Sequence, residues 1–165
     1  MYRKISDFAD TWKYESESTI KLLNGLTDAS LDQKIYPEGR TLARLSWHIT
    51  ETIGEMLNRT GLHVEEPETS GHLRNAALIA EVYGRVAQQG LAAVQENWTD
   101  ESLEIKHDMY GMEWSRGTIL TVLVQHQIHH RGQMTVLMRQ AGLVVPGIYG
   151  PAREEWLKMN LPAMA

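Results

Sequence analysis

The sequence predicts an all-α fold: a four-helix bundle with crossover connections and a short C-terminal helix. Four long segments carry apolar residues at steps of three and four positions, which is the period of an amphipathic helix. Two of the connections between them are long, and long connections permit crossovers in place of simple hairpins. The 165 residues include 42% hydrophobic and 22% charged side chains, typical of a globular protein, so we expect a single domain over 1–165.

The first two predicted helices span about 2–26 and 41–60. The first carries an apolar series at helical spacing, made up of Ile5, Phe8, Trp12, Leu22 and Leu23. Turn-forming residues directly after it end this helix. The second begins after Thr41, whose hydroxyl suits an N-cap, and it stops at Gly61.

The third and fourth predicted helices span about 75–98 and 115–141. Gly142 follows the fourth and suits the left-handed position just beyond a helix end. Between these helices, residues 103–114 alternate roughly in polarity around a central glycine, which indicates an extended segment or a short hairpin. A fifth, short helix is predicted after Pro151, because proline suits the first turn of a helix.

Composition and charge exclude several classes of function. The chain has no cysteine, which excludes disulfides, thiolate metal sites and a cysteine nucleophile. A net charge of -5 argues against nonspecific binding to nucleic acid. The first residues contain no apolar run typical of a signal peptide, and no run approaches the roughly 18 apolar residues of a membrane span. We therefore expect a cytoplasmic protein with no membrane partner.

Three histidines form a candidate metal site. His126 and His130 lie four positions apart at the centre of the apolar stripe of the fourth helix, so both rings project from its core-facing side. His129 points about 100° away and is predicted to be a flanking residue and not a ligand. His48 lies at the border of the apolar face of the second helix, from where its ring can reach a neighbouring helix. Three imidazoles would leave a coordination position open on the metal. The alternative is that the two histidines of the fourth helix are hydrogen-bonded core residues or line a dry cavity. The remaining histidines are predicted to lie in exposed loops: His63, His72 and His107.

Three segments carry a family resemblance: 45–51 around His48, 126–133 with its two histidines, and the ending 146–156. In these segments the chain resembles the DinB/YfiT-like family, and the resemblance extends over nearly the whole chain. It implies a four-helix bundle, often a homodimer, with a nickel or zinc ion on His48, His126 and His130. For some members it also implies thiol transfer or isomerisation with a low-molecular-weight thiol such as bacillithiol, mycothiol or glutathione.

Three functions remain open on the sequence. A thiol transferase acting on an electrophilic small molecule needs basic residues that bind an anionic cofactor at the mouth of the site, for which Arg44 and Arg131 are candidates. A metal-dependent hydrolase needs a general base, for which Glu51 and Glu55 are candidates. A noncatalytic metal- or ligand-binding stress-response protein needs neither. The transferase is the leading hypothesis, and since the chain lacks cysteine, its sulfur nucleophile must arrive with a cofactor.

Overall fold

A computed structural model describes residues 1–68 and 74–163 of the chain. Part of the predicted connection between the second and third helices, including His72, lies outside these residues. Within them the fold is built on four long helices, each inside its predicted limits: α1 (Ile5–Leu23), α2 (Leu42–Asn58), α3 (Ala76–Asn97) and α4 (Arg116–Gln140). The prediction of an all-α bundle is therefore confirmed.

Local hydrogen bonds explain where three of the helices begin and where α4 ends. A side-chain oxygen directly before each of α2, α3 and α4 accepts a bond from the backbone N–H three positions later, and the capping residues are Thr41, Asn75 and Ser115. Gly142 follows α4 with a φ of 73°, in the left-handed region that glycine adopts without strain. The next backbone N–H then bonds back to the carbonyl of Met138 at 2.9 Å, which closes the helix end.

The order of the helices requires crossovers. Both α1 and α2 pack against α3 and α4. Helices α1 and α2 therefore lie diagonally opposite each other in the bundle, and so do α3 and α4. Contacts also show that α2 and α3 are parallel: Ile49 and Tyr83 share the side chain of Gln127, and Ile53 lies against Gly90 one to two turns further along both helices. Parallel neighbours cannot be joined by a tight turn, which accounts for the long connection between them.

The predicted hairpin is present and extends to residue 115, one residue beyond the segment 103–114. Strand β1 (Lys106–Met109) pairs in antiparallel register with β2 (Met112–Ser115). The two residues between the strands are Tyr110 and Gly111. Their φ values of 60° and 80° are both positive, as a two-residue type I′ hairpin turn requires. The hairpin leads directly into α4, so it sets the start of the helix that carries two of the candidate histidines.

The chain ends in the predicted short helix, α5 (Arg153–Lys158). Its cap is Ala152, so Pro151 lies just before the helix and not in its first turn. The turns of 3-10 helix at Asp28–Ser30 and Glu101–Glu104, in the described part of the chain, were not predicted.

The core lies between the four long helices. Its largest fully buried side chains are Trp12, Trp47 and Tyr83, each no more than 1% exposed. A buried polar group needs a hydrogen-bond partner, so polar residues in this core mark places where the structure requires a particular contact. Among the described helices none is long and apolar enough to cross a membrane.

Candidate metal centre

The three predicted histidines lie together between α2 and α4. One ring nitrogen of each lies within 4.8 Å of the corresponding nitrogens of the other two. The ring centroid of His130 is 4.4 Å from that of His126 and 4.7 Å from that of His48. The structure therefore brings together, from two helices, the side chains that the histidine spacing had indicated.

A buried amide fixes α4 against α2 beside this cluster. Gln127, next to His126 in sequence, is fully buried and donates from its side chain to the carbonyl oxygen of Ile49 at 2.6 Å. Its side-chain oxygen accepts from the hydroxyl of Tyr83 on α3 at 3.1 Å. Ile49 directly follows His48, so the Gln127 side chain fixes the axial position of α4 relative to α2 at the level of the histidines.

Hydrogen bonds on the outer side of two rings orient them. Nδ1 of His130 lies 2.7 Å from the side-chain oxygen of Gln133, and Nδ1 of His126 lies 3.4 Å from the hydroxyl of Thr52. With a proton on each Nδ1, both Nε2 atoms carry lone pairs. These two Nε2 atoms face one another at 3.1 Å. Two lone pairs at this distance repel each other unless a cation lies between them.

The donor set fits a divalent transition metal. Two imidazole nitrogens that bind one zinc ion at about 2.0–2.1 Å in tetrahedral geometry lie about 3.4 Å apart, close to the spacing of His126 and His130. Among the described residues the cluster consists of three histidines, with no carboxylate in it. Imidazole nitrogen suits zinc and nickel alike, so the ligands do not distinguish these two metals.

The surroundings keep the three rings neutral, as metal ligands must be. Burial, followed by the neighbouring His130, lowers the pKa of His48 and of His126 from 6.5 to about 4. Burial also lowers the pKa of His130, although its hydrogen bond to Gln133 acts in the opposite direction. The positive charge of Arg40 contributes to lowering the pKa of all three rings.

Positive charge and a cavity border the cluster on one side. Arg44, one turn before His48, lies close enough to help lower the pKa of that ring, and its guanidinium donates to Glu51 at 2.7 Å. Arg40 is exposed and lines a cavity of about 290 Å³. Gln133, the partner of His130, lines the same cavity, which therefore lies directly beside the histidines.

Arg131 does not lie at the mouth of the site, where the sequence had suggested it. Its side chain is 3% exposed and forms an ion pair with the carboxylate of Glu15 on α1. It also donates to the backbone carbonyl of Glu15 at 2.9 Å, to Thr19 at 3.2 Å and to the Tyr149 hydroxyl at 2.7 Å. Arg131 follows His130 by one position, which turns it about 100° around the helix toward α1. A guanidinium held in this way is not available to a soluble anion.

The other histidines lie outside the cluster. His129, which was predicted to flank the site, is exposed, and its ring contacts the side chain of Gln133 at 3.2 Å. His63 is also exposed. The loop prediction for His107 was wrong, because this residue lies half-buried on β1 and accepts a bond from Arg116 at 3.1 Å.

Four polar residues around the site were missed by reasoning from the sequence. Gln133 is three positions after His130, so helical spacing alone marks it as a neighbour of that ring. Thr52 is four positions after His48 on α2, but the ring that it contacts is that of His126 on α4. Gln127 carries no such signal, because a glutamine in an apolar stripe does not show which backbone group it meets. Arg40 lies in a loop, whose path the sequence does not predict.

The fold and these side chains define a class: a helical-bundle protein with a three-histidine candidate metal site. The chain belongs to the DinB family, whose profile matches residues 1–161. "Uncharacterized protein YrdA" of Bacillus subtilis (strain 168) is 43% identical over 164 residues, which are 99% of this chain and 98% of that protein.

Two crystal structures are similar to this chain. A DinB-like protein from Bacillus cereus ATCC 10987 superposes with a TM-score of 0.84 at 46% identity, covering 90% of this chain and 100% of that one. A second DinB-like protein, YjoA from Bacillus subtilis, superposes with a TM-score of 0.68 at 20% identity, covering 86% and 96% of the two chains. The second likeness concerns the fold alone. The family resemblance inferred from the sequence is thus confirmed.

Proposed function

We propose that this protein is a metal-dependent transferase that joins a low-molecular-weight thiol, of the bacillithiol, mycothiol or glutathione class, to an electrophilic small molecule. In this proposal His48, His126 and His130 hold a nickel or zinc ion. The observation that carries it is the convergence of three neutral imidazoles, each with one ring nitrogen within 4.8 Å of those of the other two, with the Nε2 atoms of the pair on α4 3.1 Å apart. A divalent ion held there would lower the pKa of a coordinating thiol and so supply a thiolate at neutral pH.

The protein side chains have two tasks in this reaction. Gln133 and Thr52 hold Nδ1 of two rings and leave Nε2 directed inward, which keeps the donor atoms in place. Arg44 adds positive charge beside the rings and favours the approach of an anionic thiol cofactor. Since the chain contains no cysteine, it cannot provide the sulfur itself.

The transfer is balanced as a substitution. The thiol releases its proton to solvent, and the sulfur then donates a lone pair to an electrophilic carbon. The new sulfur–carbon bond forms as the bond between that carbon and its leaving group breaks, and the leaving group departs with the electron pair. No oxidant or reductant is needed.

The positions of the carboxylates make hydrolysis the weaker alternative. A hydrolase at this site needs a general base that can reach a water beside the three rings. Glu51 accepts from Arg44 at 2.7 Å, and Glu55 accepts from the hydroxyl of Tyr110 at 3.0 Å, so each carboxylate already has a hydrogen-bond partner. Neither belongs to the histidine cluster.

Metal binding is tested first, by elemental analysis after chelation and reloading with zinc. We expect His48→Ala, His126→Ala and His130→Ala each to lose most of the bound zinc. His129→Ala and His63→Ala are matched controls that remove an exposed imidazole and should keep full stoichiometry. A His130→Ala protein that retains one zinc per chain would contradict the assignment.

Catalysis is tested next, with zinc- or nickel-loaded protein and a chloro-dinitrobenzene electrophile. Each of the three thiols is supplied in turn, and conjugate formation is followed by absorbance. We expect acceleration over the uncatalysed rate with at least one thiol, and loss of that acceleration in the three ligand variants. Metal-loaded protein that leaves the rate at background for all three thiols would rule against the transferase.

A further inference from the structure

The cavity beside the histidines has an apolar floor. It lies along the groove between α2 and α4, where Leu45 is one turn before His48 and Leu137 is two turns after His130. Both leucines are almost fully buried, at 4% and 2% exposure. The floor therefore favours an apolar group, because these two aliphatic side chains offer no hydrogen-bonding partner to a polar one.

A short loop before α2 forms the outer wall. The backbone N–H of Leu42 donates to the carbonyl of Gln33 at 3.0 Å, which closes the loop at its base. At its tip, Ile35 and Tyr36 line the cavity although they are 63% and 59% exposed. Large apolar side chains exposed at the rim of a cavity gain burial when a ligand occupies it. The wall thus offers an aromatic and an aliphatic contact that the protein itself leaves uncovered.

The tip of this loop is held in shape. The N–H of Gly39 donates to the carbonyl of Tyr36 at 2.9 Å, which forms a tight turn. A Cβ at Gly39 would lie 3.2 Å from the Tyr36 ring, so glycine lets the ring pack against the turn. The aromatic wall is therefore formed before any ligand binds, which reduces the entropy cost of binding.

Two strongly polar side chains, Arg40 and Gln133, line the cavity. Arg40 brings a guanidinium, whose planar fork of donors matches a carboxylate. Gln133 is the second polar side chain of the lining, and its side-chain oxygen already forms a hydrogen bond with His130. The volume of about 290 Å³ is at the lower limit for small-molecule sites, which suits a single small molecule.

We infer that this cavity binds a small carboxylate with an apolar or aromatic body, its carboxylate on Arg40 and its body between Tyr36 and the two leucines. The inference rests on the proposed function in one respect: the bound molecule lies beside the three histidines and would be the electrophilic substrate, not the thiol. The cavity itself is formed by side chains that are present without any metal.

Binding is tested by isothermal titration with 3-phenylpropionate, using metal-free and zinc-loaded protein. We expect saturable binding to both forms, and about tenfold weaker binding to Arg40→Gln, the loss typical of one charge-assisted hydrogen bond. Tyr36→Ala should weaken binding several-fold. Arg153→Gln is the matched control, since it removes an exposed guanidinium on α5 and should leave the affinity unchanged. The neutral analogue 3-phenylpropanol should bind about tenfold more weakly than the acid.

The result that overturns the inference is equal affinity of the acid for Arg40→Gln and the parent protein, or equal affinity for the acid and the alcohol. Binding that occurs only with zinc and ignores Arg40→Gln also overturns it, because the carboxylate would then be on the metal. These outcomes are separate from the fate of the proposed function. A protein without thiol transfer can still bind the acid through Arg40, and a working transferase can fail to bind it.

Discussion

The ion pair between Arg131 and Glu15 is expected to stabilise the fold, and replacing Arg131 measures its contribution to the free energy of unfolding. The two side chains are 3% and 7% exposed, so removing the guanidinium by Arg131→Met leaves a buried carboxylate without its cation. Breaking a buried pair in this way costs about 3–5 kcal/mol. In a domain of this size that loss lowers the melting temperature by roughly 6–20 °C.

The neighbouring tyrosine does not substitute for the lost cation. The Tyr149 hydroxyl donates to Glu15 at 2.9 Å, and burial together with this bond raises the pKa of Tyr149 to about 12. The phenol therefore remains a neutral donor and offers one hydrogen bond where Arg131 offers several. Replacing both partners, as Glu15→Leu with Arg131→Met, should recover much of the stability because no buried charge remains.

The assay is urea unfolding of metal-free protein at pH 7, followed by circular dichroism. Arg139→Met is the matched control, since its pair with Glu154 is exposed to 41% and 26% and should contribute no more than about 1 kcal/mol. Folded Arg131→Met should still bind one zinc ion per chain under the reloading test. If Arg131→Met lowers the free energy of unfolding by as little as Arg139→Met does, the assignment of a buried structural pair is refuted.

Three further outcomes follow from the site and the fold. Gln133→Leu should weaken zinc binding about 10–100-fold, because Nδ1 of His130 loses its hydrogen-bond partner. Gln133→Glu should weaken zinc binding less, and calorimetric titration measures both affinities. In metal-free protein the pKa values of His48 and His126 are about 4 when folded and 6.5 when unfolded, so the unfolded chain takes up protons first as the pH falls. The free energy of unfolding should therefore decrease as the pH falls from about 6.5 to about 4, and a curve that stays flat in this window would contradict the neutral buried rings. The protein is also predicted to be a homodimer, and sedimentation that finds only monomer at micromolar concentrations would refute this.

The sequence predicted the fold well because its helices are long and their ends are marked locally. The capping side chains of Thr41 and Ser115 and the glycine at 142 are signals that act within a few residues, so they can be recognised without the tertiary structure. The crossover order was less accessible. It follows from contacts such as Gln127 with Ile49, which join residues 78 positions apart.

The candidate site was predictable to the extent that its residues lie on helices. His126 and His130 share a face by spacing alone, and His48 needed only a border position. The error with Arg131 arose because a charged residue beside a histidine was read as part of the same site, although one step along a helix turns a side chain by about 100°. Arg40 was missed because a loop carries no periodicity that relates it to a distant helix.

Helix α4 meets a different polar partner on each of its buried sides. His126 and His130 face His48 on α2, Gln127 reaches Tyr83 on α3, and Arg131 pairs with α1. Six consecutive positions thus connect this helix to all three of its neighbours in the bundle. Each connection is short-ranged and directional, so α4 cannot rotate or slide without breaking at least one buried polar contact. The contact between α4 and α2 sets the spacing of the histidine nitrogens, so substitutions at that contact should affect metal binding. Substitutions at the contact with α1 should affect folding stability.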